Sequence, residues 1–153
     1  MKYDLLIKNA KIVSARSTES GCIAVKDGKI AAIVADSTGL EAVRVIDAGG
    51  KPVIPGCIDV HVHFRDPGLT YKEDFSTGSM AAAAGGVTTA FDMPNVQPPT
   101  LNVENFLIKK KIAEEKSYIN YGIYAYLVNN LDQIDPLIEA GVCGFKWDLS
   151  TFD

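Results

Sequence analysis

Apolar positions in the first third of the chain come in short runs separated by turn residues. Tyr3 to Ile7 has strand texture, and Lys11 to Val13 resumes it after a short break. Gly21 to Val25 and Lys29 to Val34 flank Asp27-Gly28, a dipeptide that favours a two-residue hairpin turn. Val43 to Ile46 adds one more short strand. The pattern predicts a small sheet over residues 1–52.

At Gly49-Gly50 the texture changes. From residue 53 to residue 153 strand-like and helix-like segments alternate. Val53 to Phe64 is apolar and rich in β-branched residues. Phe75 to Ala84 is helical in texture and ends at Gly85-Gly86, a C-terminal capping signal. Val87 to Met93 reads as a strand closed by Pro94. Val103 to Lys116 reads as a helix capped by Asn102, with apolar residues at Val103, Phe106, Leu107 and Ile112. Ile119 to Val128 is strand-like. Leu131 to Ala140 is helix-like, with Pro136 as a flaw and Gly141 as its stop, and Val142 to Trp147 is strand-like again. Four strands separated by three helices predict parallel βα units, the repeat of a doubly wound sheet or a (β/α)8 barrel.

Composition narrows the function classes. Of 153 residues, 47% are apolar and 22% charged, which fits a globular domain. The formal net charge is −4, and the one basic run, Lys109-Lys110-Lys111, reads as a solvated helix face. Nucleic acid is a poor partner for such a chain. No apolar run approaches the ~20 residues of a membrane span, and the N-terminus does not resemble a secretory signal. The three cysteines, Cys22, Cys57 and Cys143, are odd in number and far apart, which suggests buried, reduced thiols in a cytoplasmic protein.

The segment richest in chemistry is Gly56-Cys57-Ile58-Asp59-Val60-His61-Val62-His63-Phe64-Arg65-Asp66-Pro67-Gly68, which holds both histidines of the chain. Residues i and i+2 of a strand point to one face, so His61 and His63 project side by side, as two ligands of one transition metal would. Asp59 and Arg65 lie on the same alternation. The bland alternative is an incidental His-x-His pair. Pro67-Gly68 turns the chain into a loop directly after the pair, as a site at a strand end requires. Asn95, in Asp92-Met93-Pro94-Asn95, offers an amide to a polar ligand or simply makes a Pro-Asn turn. Lys146 ends an apolar strand; it either snorkels to solvent or reacts with carbon dioxide to give an anionic carbamate.

With these residues in view, the chain resembles the amidohydrolase superfamily, and within it the dihydroorotases and their cyclic-amide relatives. Pro55-Gly56 with Asp59-x-His61-x-His63 resembles the superfamily's first-strand metal signature. Phe64-Arg65-Asp66-Pro67-Gly68 resembles the dihydroorotase form of it, and Gly85-Gly86-Val87-Thr88-Thr89 and Met93-Pro94-Asn95 also match. The resemblance implies an α/β fold: strands of a small β-sandwich, then the N-terminal part of a (β/α)8 barrel, incomplete in this chain. It implies zinc, as a binuclear centre. His61 and His63 would hold the more buried ion, and carboxylated Lys146 would bridge the two. Arg65 and Asn95 would hold a substrate carboxylate.

The implied reaction is hydrolysis of a small cyclic amide by an oligomeric, cytoplasmic enzyme. Dihydroorotate is the first substrate expected and allantoin the second, because allantoinases usually lack an arginine at the Arg65 position. Such a barrel takes ~250 residues, so the chain reads as an N-terminal fragment, inactive by itself. No histidine follows His63, and Asp148 and Asp153 come too early to be the family's late-strand aspartate. A non-catalytic, dihydroorotase-like structural partner is the alternative from another class.

Overall fold

The computed structural model describes residues 2–147. The chain divides into two compact units between Pro55 and Gly56.

The first unit is a sheet. Its strands are β1 (Lys2–Val13), β2 (Thr18–Lys26), β3 (Lys29–Val34), β4 (Glu41–Asp47) and β5 (Pro52–Val53). The order is β3-β2-β1-β4, with β5 also on β1. The expected break after Ile7 is a bulge inside one long strand, because the register shifts between Ile7 and Ala10. Asn9 takes a φ of 55° there, a conformation asparagine tolerates better than most residues. Its amide donates to both carboxylate oxygens of Asp47, at 2.9 and 3.0 Å. The bulge lies where the neighbour of β1 changes from β4 to β5. Asp27 and Gly28, with φ of 51° and 72°, make the predicted hairpin turn. Leu6, Cys22 and Ala24 form this unit's buried core.

The second unit repeats strand and helix. It runs β6 (Cys57–Val62), α1 (Phe75–Ala84), β7 (Val87–Asp92), α2 (Val103–Lys116), β8 (Asn120–Tyr126), α3 (Ile134–Ala140) and β9 (Gly144–Lys146). The strands pair in parallel in the order β6-β7-β8-β9. The long apolar run from Val53 to Phe64 is two pieces: Val53 pairs with β1, and β6 starts at Cys57.

Helix ends follow local chemistry. Asp74 caps α1 by accepting from Thr77 N, and Asn102 caps α2 by accepting from Asn105 N. Gly86 and Gly141, with φ of 84° and 96°, supply the left-handed turns after α1 and α3. Pro136 proves compatible with its helix. A 3-10 turn over Leu131–Gln133 comes first, so Pro136 falls in the first turn of α3, where no N–H is needed.

Phe64, Phe75, Ala90, Phe106, Ala113, Ile123, Ala125 and Leu137 make the core between sheet and helices. Gly78 matters to it, because a Cβ there would lie 2.4 Å from the Phe64 ring.

Three expectations are corrected. Lys109 is not on a solvated face: it is wholly buried, on one stripe with Phe106 and Ala113, while Leu107 is exposed. Cys57 and Cys143 are exposed rather than buried, and only Cys22 is buried; all three are free thiols. Cys57 opens β6, and Cys143 precedes β9. The Cys143 sulfur itself packs close to Gly122, and that desolvation pushes its thiol up to about 11.

Candidate metal centre at the strand ends

Parallel β/α units gather side chains at the C-terminal ends of their strands. Here a cavity of about 300 Å³ lies at those ends, lined by Val60 and His61 of β6, Met93 after β7, Tyr124 of β8, and Phe145 and Lys146 of β9. The outermost strands of the unit thus supply His61 and Lys146 to one space. The His61 and His63 rings stand 5.2 Å apart, centroid to centroid, tilted by 52°. His63 lies one residue past the end of β6, and its ring still stands beside that of His61.

His63 is oriented by a neighbour. Its Nδ1 lies 2.7 Å from Asn95 Oδ1. Drawn with Oδ1 toward the ring, Asn95 accepts the Nδ1 proton, which leaves Nε2 with a free lone pair for a cation. The family resemblance implied a substrate role for Asn95. The structure adds a bond to the imidazole and leaves the amide nitrogen for other work.

Neither Asp59 nor Arg65 lines the cavity that holds His61. Asp59 Oδ1 turns back to accept from His61 N at 3.0 Å. Arg65 has a φ of 62°, so the chain has left the strand before its side chain begins. Arg65 is half-buried in the loop that follows. Asp148 and Asp153 lie outside the described residues.

Two lysine–carboxylate pairs that the sequence did not reveal stand behind these residues. Lys109 Nζ lies 2.5 Å from Asp92 Oδ2, both side chains fully buried, and donates to Met93 O at 2.6 Å. Asp92 Oδ1 accepts from Phe64 N at 2.7 Å. Burial pushes Asp92 up and Lys109 down, and each opposes the other's shift. Lys116 Nζ meets the buried Asp66 at 2.7 Å. The missed signal was helical spacing: Lys109 stands three residues after Phe106 and four before Ala113, on the stripe that faces the core.

Among the described residues no three His, Cys, Asp or Glu side chains cluster as a metal site. The donors present are two neighbouring imidazoles, one hydrogen-bonded to Asn95, and a lysine that shares its cavity with His61. That set fits a nitrogen-liganded ion such as zinc as part of its coordination shell.

Residues 53–138 match the model of the amidohydrolase family. The chain belongs to that family. Among curated relatives of this amidohydrolase, an allantoinase from Desulfitobacterium hafniense is 48% identical over 94% of the chain and 32% of the relative. A dihydroorotase from Methanosarcina acetivorans is 42% identical over 93% of the chain and 30% of the relative. Among solved structures, L-hydantoinase from Arthrobacter aurescens superimposes with a TM-score of 0.91 at 42% identity, over 94% of the chain and 32% of that structure. The chain therefore spans about a third of the length of the proteins it matches. It lies in the cyclic amidohydrolase branch, and its α/β architecture, a small sheet followed by part of a (β/α)8 barrel, is the class the motifs implied. No described helix is long and apolar enough to cross a membrane.

Proposed function

We propose that this amidohydrolase hydrolyses the amide bond of a small cyclic ureide at a metal centre held by His61, His63 and Lys146. The carrying observation is the shared cavity: His61 and Lys146 line it together, and His63 stands beside His61. Bound there, a zinc-type cation would polarise the ring carbonyl and lower the pKa of water. Lys146 would join the ligand set as its carbamate, whose two oxygens suit a binuclear centre. Within the chain, Asn95 fixes the His63 tautomer, and the apolar Val60, Met93 and Phe145 reduce water around the reacting ring. The full-length protein would act as a cytoplasmic homo-oligomer, its remaining ligands and proton-transferring carboxylate coming from residues other than the described ones.

Dihydroorotate is the first reading of the substrate. It rests on Arg65, whose guanidinium suits a carboxylate. Allantoin is the second, favoured by the 48% identity to an allantoinase against 42% to a dihydroorotase. The test is to assay the zinc-loaded, full-length protein with dihydroorotate, allantoin and hydantoin. Turnover of dihydroorotate is expected, with Arg65→Ala raising its KM by about 10- to 100-fold. Turnover of allantoin alone, insensitive to Arg65→Ala, replaces the first reading with the second. Zinc-loaded protein inert on all three rings overturns the proposal.

A further inference from the structure

The Lys109–Asp92 pair sits behind the candidate centre and touches none of the cavity. A buried ion pair is poor evidence of stabilisation, since apolar side chains of similar volume do as well or better. Its value lies in geometry. Met93 N donates to Val62 O at 2.9 Å, and Phe64 N donates to Asp92 Oδ1 at 2.7 Å. The peptide groups on both sides of His63 are thus tied to Asp92 and Met93. Lys109 Nζ holds those same two residues, through the Asp92 carboxylate and the Met93 carbonyl. Two residues further on, past the buried Pro94, Asn95 bonds back to His63 Nδ1. The chain closes a ring from His63 through Asp92, Met93 and Asn95 back to His63, with Lys109 fastened to its middle.

We propose that Lys109 and Asp92 are positioning residues for the metal centre: together they fix the His63–Asn95 hydrogen bond and so aim the free nitrogen of His63. This rests on the reading of His61 and His63 as metal ligands. A single substitution would strand a buried charge, so the test uses the double variant Asp92→Asn/Lys109→Met in the full-length protein. Asn keeps an acceptor for Phe64 N, and Met fills the volume of the lysine stem.

Two quantities are read: zinc affinity by chelator competition, and the His63 tautomer by imidazole nitrogen NMR of metal-free protein. Wild type should show His63 protonated at Nδ1. The folded double variant should bind zinc about 10-fold or more weakly, with the Nδ1 preference lost. Unchanged affinity and an unchanged tautomer in a folded double variant overturn the proposal, because a purely structural pair would leave both alone. Should the double variant not fold, hydrogen exchange of wild type decides. The Phe64 amide should exchange as slowly as the core of β8, and exchange as fast as the Tyr71 loop overturns the clamp. A wild type that binds no zinc sinks the metal reading, while the tautomer still judges the clamp.

Discussion

The two units of the chain place charge differently. In the N-terminal sheet, Lys26 meets Asp4 at 2.9 Å and Lys8 meets Asp47 at 3.5 Å, with all four side chains 38–49% exposed. These pairs trim turns at the surface. In the β/α unit, Lys109 and Asp92 are both fully buried, and Lys116 meets an Asp66 that is only 4% exposed. Both buried carboxylates lie in the strand-end segments that carry the candidate site: Asp92 opens Asp-Met-Pro-Asn, and Asp66 follows Arg65. Burying charge is costly. The unit that accepts that cost does so where backbone position decides which way His63 and Arg65 face, and the sheet does not.

The sharpest way to break this contrast is Lys109→Met alone. It leaves Asp92 buried without a counter-charge, a defect that costs about 3–5 kcal/mol. Urea unfolding of the variant should show that loss. A midpoint close to wild type would mean that water reaches Asp92 and that the two units do not differ in this respect.

The same residue shows what the sequence could reveal. Helix α2 was readable in type and extent, because Asn102 caps it and Val103 to Lys116 has helical composition. The hairpin at Asp27-Gly28 was readable for a similar reason, since turn chemistry is local, and the closeness of His61 and His63 follows from their spacing. Lys109 was not readable as buried: its neighbours are Lys110 and Lys111, and local composition says solvent. Its partner Asp92 is seventeen residues away and enters only when the helix packs on the sheet. Arg65 fails in the opposite way. Alternation assigned it to the histidine side, but β6 ends at Val62, three residues before it, and Arg65 itself takes a φ of 62°. Pattern rules hold only while the backbone keeps its period.

Lys116 offers an intermediate case. Its side chain is 40% exposed while Asp66 is 4% exposed, so water screens one end of the pair. Lys116→Met should cost about 1 kcal/mol by urea unfolding, well below Lys109→Met. Its pH dependence has a definite sign. The hydrogen bond that Lys116 donates to Asp66 is the chief cause that raises the Lys116 pKa. The pair's contribution is therefore whole below the ordinary lysine value of about 10.4 and fades as pH climbs through the higher folded value. The difference between wild type and Lys116→Met should shrink in that alkaline window. A constant difference would assign the loss to packing of the lysine stem.

The smallest effect belongs to Asp4 in the N-terminal sheet, and it tests the other side of the contrast. The Lys26 side chain is the main cause that lowers the Asp4 pKa, with the bond from Asp27 N second. A depressed carboxylate contributes above its ordinary value of about 3.9 and loses that contribution as pH falls through its lower folded value. Carboxyl NMR should therefore find Asp4 titrating below the ordinary range, and moving only part of the way back in Lys26→Met, because Asp27 N still donates at 2.6 Å. Both groups are solvated, so the thermal midpoint of Lys26→Met at neutral pH should match wild type within error. A loss as large as that of Lys109→Met would show that charge is as consequential in the sheet as at the strand ends, and the distinction between the two units would fall.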